Sequence, residues 1–154
     1  MPRRKTHKAV GIVAGVVTAV ARSRPEDGAA NLLVVAGGGI GGWLTSMWPD
    51  WFEPATTFNH RRFFHSYTVG GAVPVCTAQV VQQWESHWRA VAVDAHLQSI
   101  DPRRTPAERA FLLAVTVLAW ILVGLLAGLA AGYVSHLLLD LRDPSGLPLL
   151  GLSF

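Results

Sequence analysis

The chain has 154 residues, 51% of them hydrophobic and only 15% charged, with a mean hydropathy of +0.33 and a formal net charge of +3. This balance excludes an ordinary water-soluble domain and points to lipid as the solvent. The basic residues lie between apolar runs and form no stripe with interleaved aromatics, so no nucleic acid is expected as a partner, and the single cysteine, Cys76, excludes an internal disulfide and a cysteine-caged zinc.

Residues 9–21, 29–48, 63–81 and 110–139 carry no formal charge. A hydrocarbon core of about 30 Å takes about 20 helical residues, so the second and third runs fit one span each and the fourth is long enough to tilt or protrude. The first run is short. Its basic leader, Arg3, Arg4, Lys5 and Lys8, followed by Ala19-Val20-Ala21, also resembles a secretory signal peptide, although Arg22 directly after the small residues argues against cleavage there. In the second run, Gly37-Gly38-Gly39-Ile40-Gly41-Gly42 contains a literal G-x-G-x-x-G. No βαβ unit follows it and the apolar stretch continues through Trp48, so close helix packing explains the glycines better than a dinucleotide turn.

Between the third and fourth runs, Trp84, Trp88, Val91 and Ala95 recur at helical spacing within a polar segment, 82–109, read as an interfacial amphipathic helix or a continuation of the third span. Thr105-Pro106-Ala107-Glu108 reads as a capping box that starts the fourth helix, and Asp143-Pro144-Ser145-Gly146 as a turn beyond its end. The expected fold is all-α: one membrane-embedded domain over 1–154, a bundle of about four transmembrane helices with an interfacial helical segment between the third and fourth.

If the four runs cross in alternating directions, the start of the first, the end of the second, the start of the third and the end of the fourth share one membrane face. Those places hold His7, Asp50, His60, His65, His136 and Asp140. His136 and Asp140 are four residues apart, which puts both side chains on one helix face. Ionisable groups beside an apolar span are costly there, and they mark function by default. His60 and His65 would point about 140° apart on a continuous helix, so at least one belongs to the loop, with His60 placed before the helix and His65 in its first turn. Arg61 suits two-pronged binding of a phosphate or carboxylate, and Ser66 suits support of a ligand. His87 and His96 fall on the opposite side as surface residues, and no second polar cluster is expected there.

Six candidates exceed the needs of one zinc ion, which takes three or four protein ligands. One or two divalent ions, zinc being the best fit to His and Asp, would activate water, with a spare Asp or His as general base. Asp50 and His65, with Arg61 as the anion holder, are the expected catalytic groups. The dense basic leader tips the ligand face toward the cytoplasm.

The motifs His60-Arg61-Arg62-Phe63-Phe64-His65-Ser66, Pro49-Asp50 after the glycine-rich span, and Gly132-Tyr133 through His136 and Asp140 to Gly146-Leu147-Pro148-Leu149-Leu150 resemble the YdjM-like, LexA-regulated, predicted membrane-bound metal-dependent hydrolases of bacteria. The resemblance implies a multi-pass protein of the bacterial inner membrane, with the six His and Asp residues as metal ligands. Phe52 stands where the family tends to have a second carboxylate, with Glu53 one residue on. Arg62, Phe64 and Asp143 also depart from its pattern. The expected reaction is hydrolysis of a phosphate ester or related bond in a membrane-associated substrate such as a phospholipid. A metal or proton transporter, and a non-catalytic protein with a structural metal, are the alternatives.

Overall fold

A computed structural model describes residues 4–52 and 67–140, with side chains from Ala78 onward in the second stretch. All regular structure there is helical: α1 (Arg4–Ala21), a 3-10 helix (Pro25–Ala30), α2 (Asn31–Thr45), the short α3 (Trp48–Phe52), α4 (Tyr67–Ser99) and α5 (Pro106–Asp140). Helix α5 is central, with α1, α2 and α4 packed against it, and α1 also packs on α2. Two segments, Pro25–Phe52 and Pro106–Asp140, are long and apolar enough to cross a membrane.

Small residues set the distance between these helices. His7, Gly11, Gly15 and Ala19 recur every four residues on α1 and form its buried stripe. A Cβ at Gly15 would fall on the Gly38 carbonyl of α2, and one at Gly128 of α5 would fall on the same carbonyl from the other side. Gly38 is therefore a point where three backbones meet, and the run of glycines in α2 serves helix contact. In lipid, where apolar surface alone gives helices little reason to associate, such close approach supplies van der Waals contact.

The helix ends follow from local chemistry. The Glu108 N–H donates to Thr105 Oγ1 (3.3 Å) and the Thr105 N–H donates to Glu108 Oε2 (2.8 Å), the reciprocal capping box that starts α5 at Pro106. The α1–α2 turn passes through Gly28 at φ 53°, a backbone region that favours glycine. The Asn31 side chain closes that turn by donating to the Arg24 carbonyl (2.7 Å). At the other end of α2 the chain breaks at Ser46 and Met47 and restarts as α3, with Pro49 in its first turn.

Of the two readings of the segment after the third apolar run, continuation of the preceding helix agrees with the structure and a separate interfacial helix does not. The segment is the second half of α4, continuous to Ser99, and its inward stripe carries charge. Glu85 (4% exposed), Arg89 (6%) and Ala92 face the bundle. Arg22 grips the Glu85 carboxylate with two nitrogens, its Nη2 donating to Oε2 at 3.1 Å. Arg89 pairs with Asp27 and donates from Nη2 to the Arg22 carbonyl (3.2 Å), with its guanidinium 5.8 Å from the Trp120 ring centre. The α1–α2 turn is thus clasped to α4 by one buried and one half-buried ion pair. This second cluster corrects the expectation that no polar group would gather at the end opposite His7. Charge alone does not say which face of a helix a residue occupies. His87 and His96 are exposed on α4, as expected.

Candidate metal centre

At the start of α1, the four-residue glycine spacing that packs this helix also carries His7 into the interior, where it is 4% exposed. At the end of α5, His136 is fully buried and Asp140, one turn on, is 4% exposed. Gly132 allows this depth. A Cβ there would fall on the Gly42 carbonyl and against Thr45 Oγ1, so α5 reaches the end of α2 only with glycine at that position. The Thr45 hydroxyl bridges the same contact by reaching the Leu129 carbonyl (2.6 Å) while remaining 3.0 Å from its own Gly41 carbonyl.

His136 Nδ1 lies 2.6 Å from the Ser46 carbonyl. A carbonyl only accepts, so Nδ1 carries the hydrogen and, in the neutral ring, Nε2 offers its lone pair to the other side. There it meets Asp140 Oδ2 at 3.4 Å and Asp50 Oδ1 at 3.5 Å. His7 Nε2 is 3.8 Å from Asp140 Oδ1, and the His7 and His136 rings stack with centres 4.2 Å apart. One donor each from His7, His136 and Asp140 lies within 4.8 Å of the others.

These separations exceed the 2.7–3.2 Å of ordinary hydrogen bonds. They suit a shared cation: zinc bonds of about 2.0–2.1 Å at tetrahedral angles hold neighbouring donors about 3.4 Å apart. The backbone acceptor on Nδ1 is the usual support for a metal-ligating histidine, fixing its tautomer and ring plane. Asp50 differs from the other three. It sits on the short α3 with its side chain about a third exposed, at the rim of an otherwise closed cluster. Trp43, Trp48 and Trp51 are exposed around this end, the distribution expected where a bundle meets the membrane surface.

Of the expected site residues, His7, Asp50, His136 and Asp140 come together from α1, α3 and α5. His60, Arg61, His65 and Ser66 lie outside the described residues, as do Glu53, Arg62, Phe64, Asp143 and the segment Gly146-Leu147-Pro148-Leu149-Leu150. Phe52 is exposed at the end of α3 and offers no second carboxylate. Sequence reasoning missed Ser46, because its contribution is a backbone carbonyl. The available signal was Pro49, which ends one helix and starts the next and so exposes carbonyls at the junction.

No curated protein and no solved structure matches the chain. The sequence profile of the YdjM inner membrane protein family matches residues 1–151. The chain belongs to the YdjM inner membrane protein family and is an inner membrane protein with two segments, Pro25–Phe52 and Pro106–Asp140, long and apolar enough to cross the bilayer.

Proposed function

We propose that this protein is a membrane-bound, metal-dependent hydrolase acting on a phosphate ester or related bond of a membrane-associated substrate. The convergence of His7, His136 and Asp140, with one donor from each within 4.8 Å of the others and Asp50 3.5 Å from His136, is the observation that carries this reading. All four long helices cross the bilayer in it, α1 with a length of about 27 Å and α4 with its first half.

His7, His136 and Asp140 are the ligands, and their burial keeps bulk water from competing for them. A divalent ion held there would supply Lewis acidity, acidifying water to a pKa of about 7 and stabilising charge on a phosphoryl oxygen. Asp50, at the exposed rim, takes the proton of the attacking water as general base, or fills a fourth coordination position. The oxygen of that water would add to phosphorus as the ester P–O bond breaks, and the departing alkoxide would take up the proton that Asp50 accepted. His60 and His65 complete a second ion site if two are held. Arg61, in the sequence between α3 and α4, holds the anionic substrate by its guanidinium fork.

The test is purified full-length protein loaded with zinc and assayed on phosphodiester, phosphomonoester and carboxylester lipids. Turnover that disappears in His136→Ala and Asp140→Ala supports the proposal. Bound metal without turnover on any of the three classes counts against it.

Transport of a metal or proton is the second reading, favoured by one observation: buried polar groups stand at both ends of the bundle. At the far end, however, they pair off as arginine with carboxylate, and between the ends α1, α2 and α5 meet backbone to backbone at Gly38. Zinc uptake into sealed vesicles separates the readings, because a hydrolase shows none.

A further inference from the structure

The outward side of α1 and α2 carries an apolar groove of about 500 Å³ that the reaction above does not use. Ile12 and Val16 line one wall, and Leu32, Ala36 and Ile40 line the other. Gly39 forms its floor, where a Cβ would come within 3.3 Å of Val16. Its long axis runs from Leu32 to Trp43 along α2, which at 1.5 Å per residue is about 16 Å. This is about half of a 30 Å hydrocarbon core, the depth of one leaflet.

The two ends of the groove differ. Lys8 stands four residues before Ile12 and eight before Val16, on the same helical stripe. Its Nζ lies 5.5 Å from the centre of the Trp43 ring. This places an ammonium and an exposed indole at the end of the groove where His7, the preceding residue, enters the His and Asp cluster. Leu32 at the opposite end is 75% exposed and apolar. An apolar channel one leaflet deep, with a cation at its membrane-surface end, matches one acyl chain and the phosphate of a phospholipid in length and in charge. A second helix in the groove would have no use for the ammonium, and a free phosphate would have no use for the channel.

We propose that the α1–α2 groove binds one acyl chain of a glycerophospholipid with its phosphate at Lys8, which makes a phospholipid the substrate class of the adjoining cluster. The assignment as substrate rests on the hydrolase reading, whereas the binding does not. Lys8 is a positioning residue here: it holds the phosphate at the depth of His7, one residue before it on the neighbouring helix face, and takes no part in bond breaking.

Native mass spectrometry of the full chain released from detergent tests this, with dioleoylphosphatidylglycerol, dioleoylglycerol and glycerol phosphate as probes. Wild-type protein is expected to keep one phospholipid and to bind dioleoylglycerol more weakly. Ala36→Phe fills the groove from an exposed position and should weaken both lipids by about tenfold or more. Lys8→Gln should weaken the phospholipid alone, by about tenfold, to the level of dioleoylglycerol. His136→Ala should lose metal and keep the lipid, so a failed hydrolase reading leaves this result standing. Lipid retention unchanged in Ala36→Phe and Lys8→Gln would overturn the proposal. So would equal competition by glycerol phosphate, or a dimer that Ala36→Phe dissolves in place of a lipid adduct.

Discussion

The two ends of this bundle both bury charged groups, and they do so in opposite ways. At the α1–α2 turn, Arg22 meets Glu85 and Arg89 meets Asp27, so each cation sits against a carboxylate at contact distance. At the His7 end the atoms that face one another are imidazole nitrogens and carboxylate oxygens, 3.4–3.8 Å apart. The first arrangement matches each cation with an opposite charge. The second gathers donors of electron pairs at a spacing that one metal ion can satisfy together. Geometry therefore distinguishes a clasp from a candidate metal centre where composition, polar residues near apolar runs in both cases, does not.

The sharpest way to break this comparison is to remove a donor. His136→Ala and Asp140→Ala should each weaken zinc binding by about 100-fold or more, measured by competition with a chelating dye, because each takes away a ligand and not a supporting contact. Removing Arg89 should do something different. Arg89→Ala leaves the Asp27 carboxylate buried without its arginine and should destabilise the fold by about 3–5 kcal/mol in a detergent unfolding titration, with zinc content per folded chain unchanged. If Arg89→Ala lost zinc as completely as His136→Ala, the two ends would be one coupled system.

Smaller effects test what joins the ends. Gly128→Ala places a methyl group on the Gly38 carbonyl and should cost about 1–3 kcal/mol by overpacking. Because α5 carries His136 and Asp140, this variant should also loosen the metal centre, seen as faster zinc release. The smallest effect is expected at the cap: Thr105→Ala should cost about 1 kcal/mol and leave zinc untouched, since it frays only the start of α5.

How much of this was legible in the chain depended on the kind of signal. The span ends, the capping box at Thr105 and the packing role of the α2 glycines follow from patterns that act locally, and alternation of helix direction then brings His7, Asp50, His136 and Asp140 to one end. The clasp was not legible in that way. Glu85 and Arg89 look like the solvated face of a polar helix, and only their four-residue spacing, one turn before and at the turn that carries Trp88 and Ala92, hints that they point inward. Their partners Arg22 and Asp27 lie more than 50 residues away in sequence, beyond any periodicity argument. The role of Ser46 was hidden for another reason: a backbone carbonyl has no residue signature, and it becomes available to His136 only because the helix breaks before Pro49.

The central claim is that the His and Asp end holds a divalent metal ion, and metal content tests it most directly. The full-length protein, purified in detergent and equilibrated with zinc, should retain at least one zinc per chain by mass spectrometric elemental analysis after extensive dialysis. Arg89→Ala should retain the same amount, and His136→Ala and Asp140→Ala should retain none. Wild-type protein that emerges without zinc, or equal zinc in all four proteins, would contradict the account.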